Sequence, residues 1–185
     1  MPKRVFQSDV MTYVATLKTV LTTTRFNNKT WNENQEYLKR CHEEGVLSKK
    51  IQCIYPCSVV ISATIPYQSN MFVLEMNNET NKMMGIGLVK NITPEYNKHV
   101  VYENERYNAF TYQGGYHIGV GEMTEEEKMV ISKLEMLCFK GKRHQKRMVG
   151  IKAFPMDILY NYKNRQENSV DFIQEITKMF KTRFL

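Results

Sequence analysis

Apolar residues recur at helical spacing near the start of the chain. Val10, Val14, Leu17 and Leu21 predict a helix over Asp9–Thr23, capped by Ser8 or Asp9. The run Thr22-Thr23-Thr24 is β-branched and offers competing side-chain hydrogen bonds, so the helix is expected to end there. A second helix is predicted from Trp31 to Glu44. Thr30 and Glu33 have the T-x-x-E spacing of a capping box, and Gly45 stands where a C′ glycine belongs. Leu38 and Cys41 share a face there with Trp31 or Asn34.

From Ile51 the pattern changes to strands. Ile51–Tyr55 and Val59–Ile61 are β-rich segments separated by Pro56. Met71–Met76 and Met83–Val89 flank the polar turn Asn77–Asn81, the strongest hairpin signal in the chain. Gly85 and Gly87 fall on one face of the second strand, which predicts tight curvature or close backbone approach, as in a small barrel. A short strand is expected at His99–Tyr102 and another at Tyr116–Val120. Thr124 and Glu127 form a T-x-x-E box opening a helix that carries Ile131, Leu134, Leu137 and Cys138. An extended segment at Gly150–Phe154 follows, then a short helix after Pro155. A final helix over Ser169–Phe180 buries Phe172, Ile173, Ile176 and Phe180 on one stripe.

These elements predict an α+β domain: a small, curved, mainly antiparallel sheet or barrel with two N-terminal helices and a helical C-terminus. The expected division is a helical extension over 1–46, a sheet core over 51–154 with an inserted helix at 124–139, and C-terminal helices over 155–185. With 185 residues, 42% of them hydrophobic, one domain buries a core without disulfides or metals. The start has no apolar run behind its cations, so no signal peptide is expected, and no window is long enough to span a membrane. Pro2 excludes myristoylation, and the C-terminus has no prenylation box. An intracellular protein with reduced thiols is expected.

The net charge of +7 favours a polyanionic partner: nucleic acid, an anionic membrane surface or an acidic protein. Its sharpest expression is the loop after the inserted helix. Between Glu135 and Asp157 there is no acidic residue, and the stretch contains Lys140, Lys142, Arg143, His144, Lys146, Arg147 and Lys152. Cations without counter-charges neutralise phosphates and release counterions. Cations at a helix C-terminus also complement its dipole, which accounts for one or two of them. Beside Arg106, Tyr107 and Tyr112 are the stacking candidates within a tyrosine-rich stretch that also holds Tyr96, Tyr102 and Tyr116. The competing explanation for each is ordinary packing in a half-exposed sheet.

Cys41, His42, Cys53 and Cys57 are possible zinc ligands, but adjacent Cys41-His42 is unusual spacing for one tetrahedral site, and Cys41 falls on an apolar helix face. No metal or cofactor is expected. His42, His99, His117 and His144 lie in no nucleophile-elbow, zinc-protease or P-loop context, and nothing argues for an enzyme.

On these residues two resemblances stand. The stretch from Val60 to Val89 resembles the opening strands of the PUA-like superfamily, which includes the EVE and ASCH domains, with Gly85-Ile86-Gly87-Leu88-Val89 matching their glycine-bearing strand. That resemblance implies a small barrel that binds RNA or a modified base, although no pocket residue carries over position by position. The hairpin sequence, the basic loop and the Asn/Lys/Tyr-rich composition also resemble uncharacterised proteins of nucleocytoplasmic large DNA viruses, which implies expression in an infected host and no particular activity. The expected function is nucleic-acid binding, DNA or RNA, through Lys140, Lys142, Arg143, His144, Lys146 and Arg147 with Tyr107 and Tyr112. The alternatives are a viral structural component that docks on an acidic protein, and a nucleic-acid-modifying enzyme using His144 or His117 as acid or base.

Overall fold

The computed structural model describes residues 19–96, 98–164 and 169–185. The first described element is a strand, β1 (Thr19–Phe26). The predicted helix is therefore corrected over 19–23, and its remainder, with Val10, Val14 and Leu17, lies outside the described residues. The physical reason is local. A run of threonines with Val20 favours extended backbone, and Leu21 alone cannot impose a helical stripe. The Thr22 hydroxyl donates to the Phe72 carbonyl of the neighbouring strand at 2.9 Å, which satisfies it in the buried sheet.

The strands that follow are β2 (Cys53–Cys57), β3 (Asn70–Asn77), β4 (Lys82–Lys90), β5 (Glu95–Tyr96), β6 (Phe110–Gly114), β7 (Tyr116–Gly119) and β8 (Lys152–Ala153). They form a five-stranded sheet in the order β7-β4-β3-β1-β8 and a three-stranded sheet in the order β2-β6-β5. β1 runs parallel to β3, from Thr19 opposite Asn70 to Phe26 opposite Asn77, and the other pairings are antiparallel. The large sheet is therefore mixed and open, with β7 and β8 at its edges, and the described residues form no closed barrel. The α+β class stands, and the barrel does not. The predicted hairpin is β3–β4, with a bulge between Glu75 and Met76.

The helices are α1 (Asn28–Glu43), α2 (Glu125–Phe139), α3 (Met156–Lys163) and α4 (Phe172–Phe184). α1 begins earlier than its predicted Thr30/Glu33 box. Asn27 is the cap: its side chain accepts from the Thr30 N–H at 2.7 Å, and the Thr30 hydroxyl accepts from the Asn27 N–H at 3.0 Å. Gly45 follows in the left-handed region at φ +69°, as a C′ glycine should. α2 starts at the predicted Thr124/Glu127 box.

Two strand predictions are corrected. Val59–Ile61 is not a strand, and β2 runs through Pro56 instead of stopping before it. β2 pairs only with β6, and an edge strand tolerates a residue without an N–H. The strand expected at His99–Tyr102 is absent, and the pairing segments there are β5 and β6.

The large sheet buries both faces. On one, Leu21, Phe72, Leu74 and Ile86 pack against α2 (Ile131, Leu134) and α4 (Phe172, Ile176, Phe180). On the other, Met71, Val73 and Val89 pack against Tyr37 and Leu38 of α1 and Ile54, Tyr55 and Tyr112 of the small sheet. β1 thus sits inside the common core, and residues 19–26 belong to no separate helical extension.

Gly85 and Gly87 do allow close approach, but mainly of side chains. A Cβ at Gly87 would stand 2.0 Å from the Tyr55 hydroxyl. One at Gly85 would stand 2.6 Å from Glu75 Oε2, 2.7 Å from His117 Nε2 and 2.8 Å from the Ile118 carbonyl oxygen. Curvature into a barrel is not their role.

Candidate nucleic-acid interface

The basic loop is shaped by its buried members. α2 ends at Phe139, and Gly141 turns the chain at φ +80°. Gln145 is buried at 3% exposure, and its N–H returns to the Cys138 carbonyl at 2.7 Å. Arg25 on β1 ties the loop down from below. Its Nε donates to the Gln145 carbonyl at 2.7 Å and its Nη1 to the Gly150 carbonyl at 2.9 Å, while Nη2 reaches the Thr23 hydroxyl at 2.5 Å. Every one of these acceptors is neutral. Burial brings the Arg25 pKa down to about 10, opposed only by Cys138.

The candidate cations separate into two groups. Lys140, Lys142 and Arg147 are exposed and make no ion pair among the described residues. Arg143, by contrast, forks onto the Asp157 carboxylate of α3, with Nη2 3.0 Å from Oδ1, and this bond holds its pKa above the ordinary value. Lys146 donates to the Asn81 side chain at 2.7 Å. His144 Nδ1 accepts from the Lys146 N–H at 3.3 Å, so its ring is tied to its own loop. The stretch that is acid-free in sequence is therefore not acid-free in space. Asp157 neutralises one cation, and Glu135 stands in a depression lined also by Lys140, Lys146 and Lys82.

The loop continues into the wall of a cleft of about 250 Å³. Met148, Val149 and Gly150 form that wall, and Phe26, Tyr102 and Tyr107 supply aromatic surface. Asn27 and Thr30 come from the start of α1, and Asn78 from the β3–β4 turn. The Asn78 amide donates to the Lys146 carbonyl at 3.0 Å, which joins the cationic loop to the cleft. None of the lining residues is acidic, and one, Arg25, is basic.

Of the two stacking tyrosines, the structure keeps one at the surface. Tyr107 is 43% exposed on the cleft and packs edge-to-face on Tyr102 at 6.2 Å. Tyr112 is 3% exposed, and its hydroxyl accepts from the Ile61 N–H at 3.0 Å. Its ring has no free face for a base, because β6 turns it into the core between the two sheets. Sequence reasoning missed Arg25, Phe26 and Asn78. Arg25 interrupting a buried threonine strand was the available signal, hidden by the helical assignment of that run.

Two histidines join carboxylates. His117 Nε2 lies 2.9 Å from Glu75 Oε2, and the Tyr55 hydroxyl donates to Glu75 Oε1 at 2.7 Å. Burial works against protonation of His117, but the bond and charge of Glu75, with Glu122, outweigh it and raise its pKa. His99 is bracketed by Tyr37 at 2.8 Å and Glu95 at 2.7 Å. Neither pair lines the aromatic cleft. All four cysteines are free and buried, and among the described residues no three His, Cys, Asp or Glu side chains converge as a metal group would. No described helix is long and apolar enough to cross a membrane. Comparison with protein-family models, curated proteins and solved structures returns no match.

Proposed function

We propose that the chain binds nucleic acid as a single strand, with phosphates along Lys140, Lys142 and Arg147 and an unstacked base against Tyr107. The observation that carries this reading is continuity. Lys146 and Arg147 end the cationic loop and lead directly into 148–150, which form the wall of an aromatic, acid-free cleft, and Asn78 of that cleft holds the Lys146 carbonyl. Cations that track a backbone beside an exposed aromatic are the parts a single-strand site requires. Arg143 contributes less than the other arginine, because Asp157 already balances it. Tyr112 has no part in the contact.

The test is a fluorescence-anisotropy titration of a single-stranded oligonucleotide at several salt concentrations. Binding should weaken steeply with salt. Replacing Lys140, Lys142 and Arg147 by alanine should lower the slope of log affinity against log salt by about 2, at roughly 0.7 per phosphate contact. Tyr107→Ala should cost about 1–3 kcal/mol at every salt concentration and leave the slope unchanged. Binding that ignores salt, or no binding, overturns the reading.

A further inference from the structure

The cleft has an electrostatic feature that base stacking does not use. Arg25 is a half-buried cation whose hydrogen bonds all end on neutral oxygens, namely the Thr23, Gln145 and Gly150 carbonyls and the Thr23 hydroxyl. No carboxylate acts on it among the described residues. A charge partly withdrawn from water with no counter-ion is costly in proportion to its burial, and an anion entering the cleft would offset that cost. Arg25 and Gly150, whose carbonyl it holds, both line the cleft.

Three further observations point the same way. The first turn of the 16-residue helix α1 borders the cleft through Asn27 and Thr30, so the positive end of its dipole lies at this wall. Lys152 stands close enough to draw down the thiol of Cys57, another lining residue, although burial dominates and leaves that thiol raised to about 11. The α1 N-terminus has also already taken an anion. Glu79, exposed on the β3–β4 turn, accepts from the Asn28 N–H at 3.0 Å. The other carboxylate nearby, Glu103, is bound to Lys29.

From these residues we infer that the cleft holds a nucleoside phosphomonoester, with the base on Tyr107 and the phosphate drawn toward Arg25 and the start of α1, where it competes with Glu79. This rests on the nucleic-acid reading and adds a preference for a terminal phosphate over an internal one. Two sources share that chemistry, a free mononucleotide and the 5′-phosphorylated end of a strand. The volume of about 250 Å³ falls just below the usual range of ligand pockets, which suits one nucleotide and no more.

The experiment uses the full chain and four probes: adenosine 5′-monophosphate, adenosine, and one oligonucleotide with either a 5′-phosphate or a 5′-hydroxyl. At least one phosphorylated probe should bind about tenfold more tightly than its unphosphorylated partner, the size of a charge-assisted contact. A gain in the first pair assigns the cleft to free nucleotides, and a gain in the second assigns it to strand ends. Glu79→Gln removes the competing anion and should strengthen the phosphorylated probe about threefold. Val149→Glu places a carboxylate on the exposed rim and should abolish the phosphate preference with the unfolding midpoint unchanged. Arg25→Ala is avoided as the primary variant because it also unties residues 145–150. Equal affinities within both pairs overturn the inference, as does a phosphate preference that survives Val149→Glu. If the oligonucleotide binds with the salt dependence described above but ignores its 5′-phosphate, and adenosine 5′-monophosphate gains nothing over adenosine, only this inference falls. If no oligonucleotide binds, the nucleic-acid reading falls, and the mononucleotide pair alone decides the cleft.

Discussion

A Cβ at Gly87 would meet its nearest neighbour at 2.0 Å, the shortest such contact among the glycines. Its missing side chain is the space occupied by the Tyr55 hydroxyl, and that hydroxyl satisfies the buried Glu75. Gly85 opens the adjoining space, so that Glu75 on β3 and His117 on β7 meet across β4. Gly87→Ala should therefore cost about 2–4 kcal/mol, combining overpacking with a broken buried hydrogen bond. Gly121→Ala, where a Cβ meets nothing within 4 Å, should stay within about 0.5 kcal/mol in urea unfolding. The same cluster gives a pH dependence. The folded pKa of His117 lies above its unfolded value. Its stabilising contribution is therefore complete below about pH 6.5 and declines as pH rises through the folded pKa. Urea midpoints measured from about pH 5.5 to 8.5 should show that decline, and His117→Gln should flatten it. A midpoint that rises over this range in the wild type and not in the variant would refute the ion pair.

At the scale of elements, the start of α1 separates two sequence patterns that look alike. The T-x-x-E spacing at Thr30/Glu33 reads as a cap, but the chain caps the helix with Asn27 and Thr30 because β1 delivers Phe26 into the core just before it. Asn27→Ala should cost about 1 kcal/mol by thermal or urea unfolding, and Glu33→Ala should cost no capping energy. The same contrast governs how much was legible beforehand. The hairpin β3–β4, helix α2 and the basic loop are written in contiguous residues, so local periodicity and charge reveal them. β1 is not legible in this way. Its threonines are buried by β3 and β8, which lie far along the chain, and alone they read as a helix ending. The cleft is harder still, since its lining comes from β1, α1, β2, the segment around Tyr107 and residues 148–150. Charge in the loop was visible, but the pairing of Arg143 with Asp157 needed α3 to fold back. Tyr112 and Tyr107 are five residues apart and chemically alike. Only the packing of the small sheet, with β6 at its centre, against the large one separates a core ring from a surface one.

At the scale of the whole molecule, the large sheet divides two apolar cores, and β3 contributes to both. Phe72, Leu74 and Met76 face the α2–α4 side, while Met71 and Val73 face α1 and the small sheet. Neither layer can lose its packing while β3 keeps both of its faces covered, so the described layers should unfold as one cooperative unit. Trp31 makes this measurable. It is the only tryptophan, it sits on α1, and it packs edge-to-face on Phe26 at 5.2 Å, on the side of the sheet away from α4. Ile176→Ala removes a fully buried side chain from α4 and should cost about 2–5 kcal/mol. Trp31 fluorescence and far-UV circular dichroism should then report the same lowered urea midpoint, even though Trp31 belongs to the opposite layer. If the circular dichroism midpoint falls while the Trp31 transition stays in place, the layers unfold separately, and the cleft, built largely on the α1 side, is independent of the helical layer.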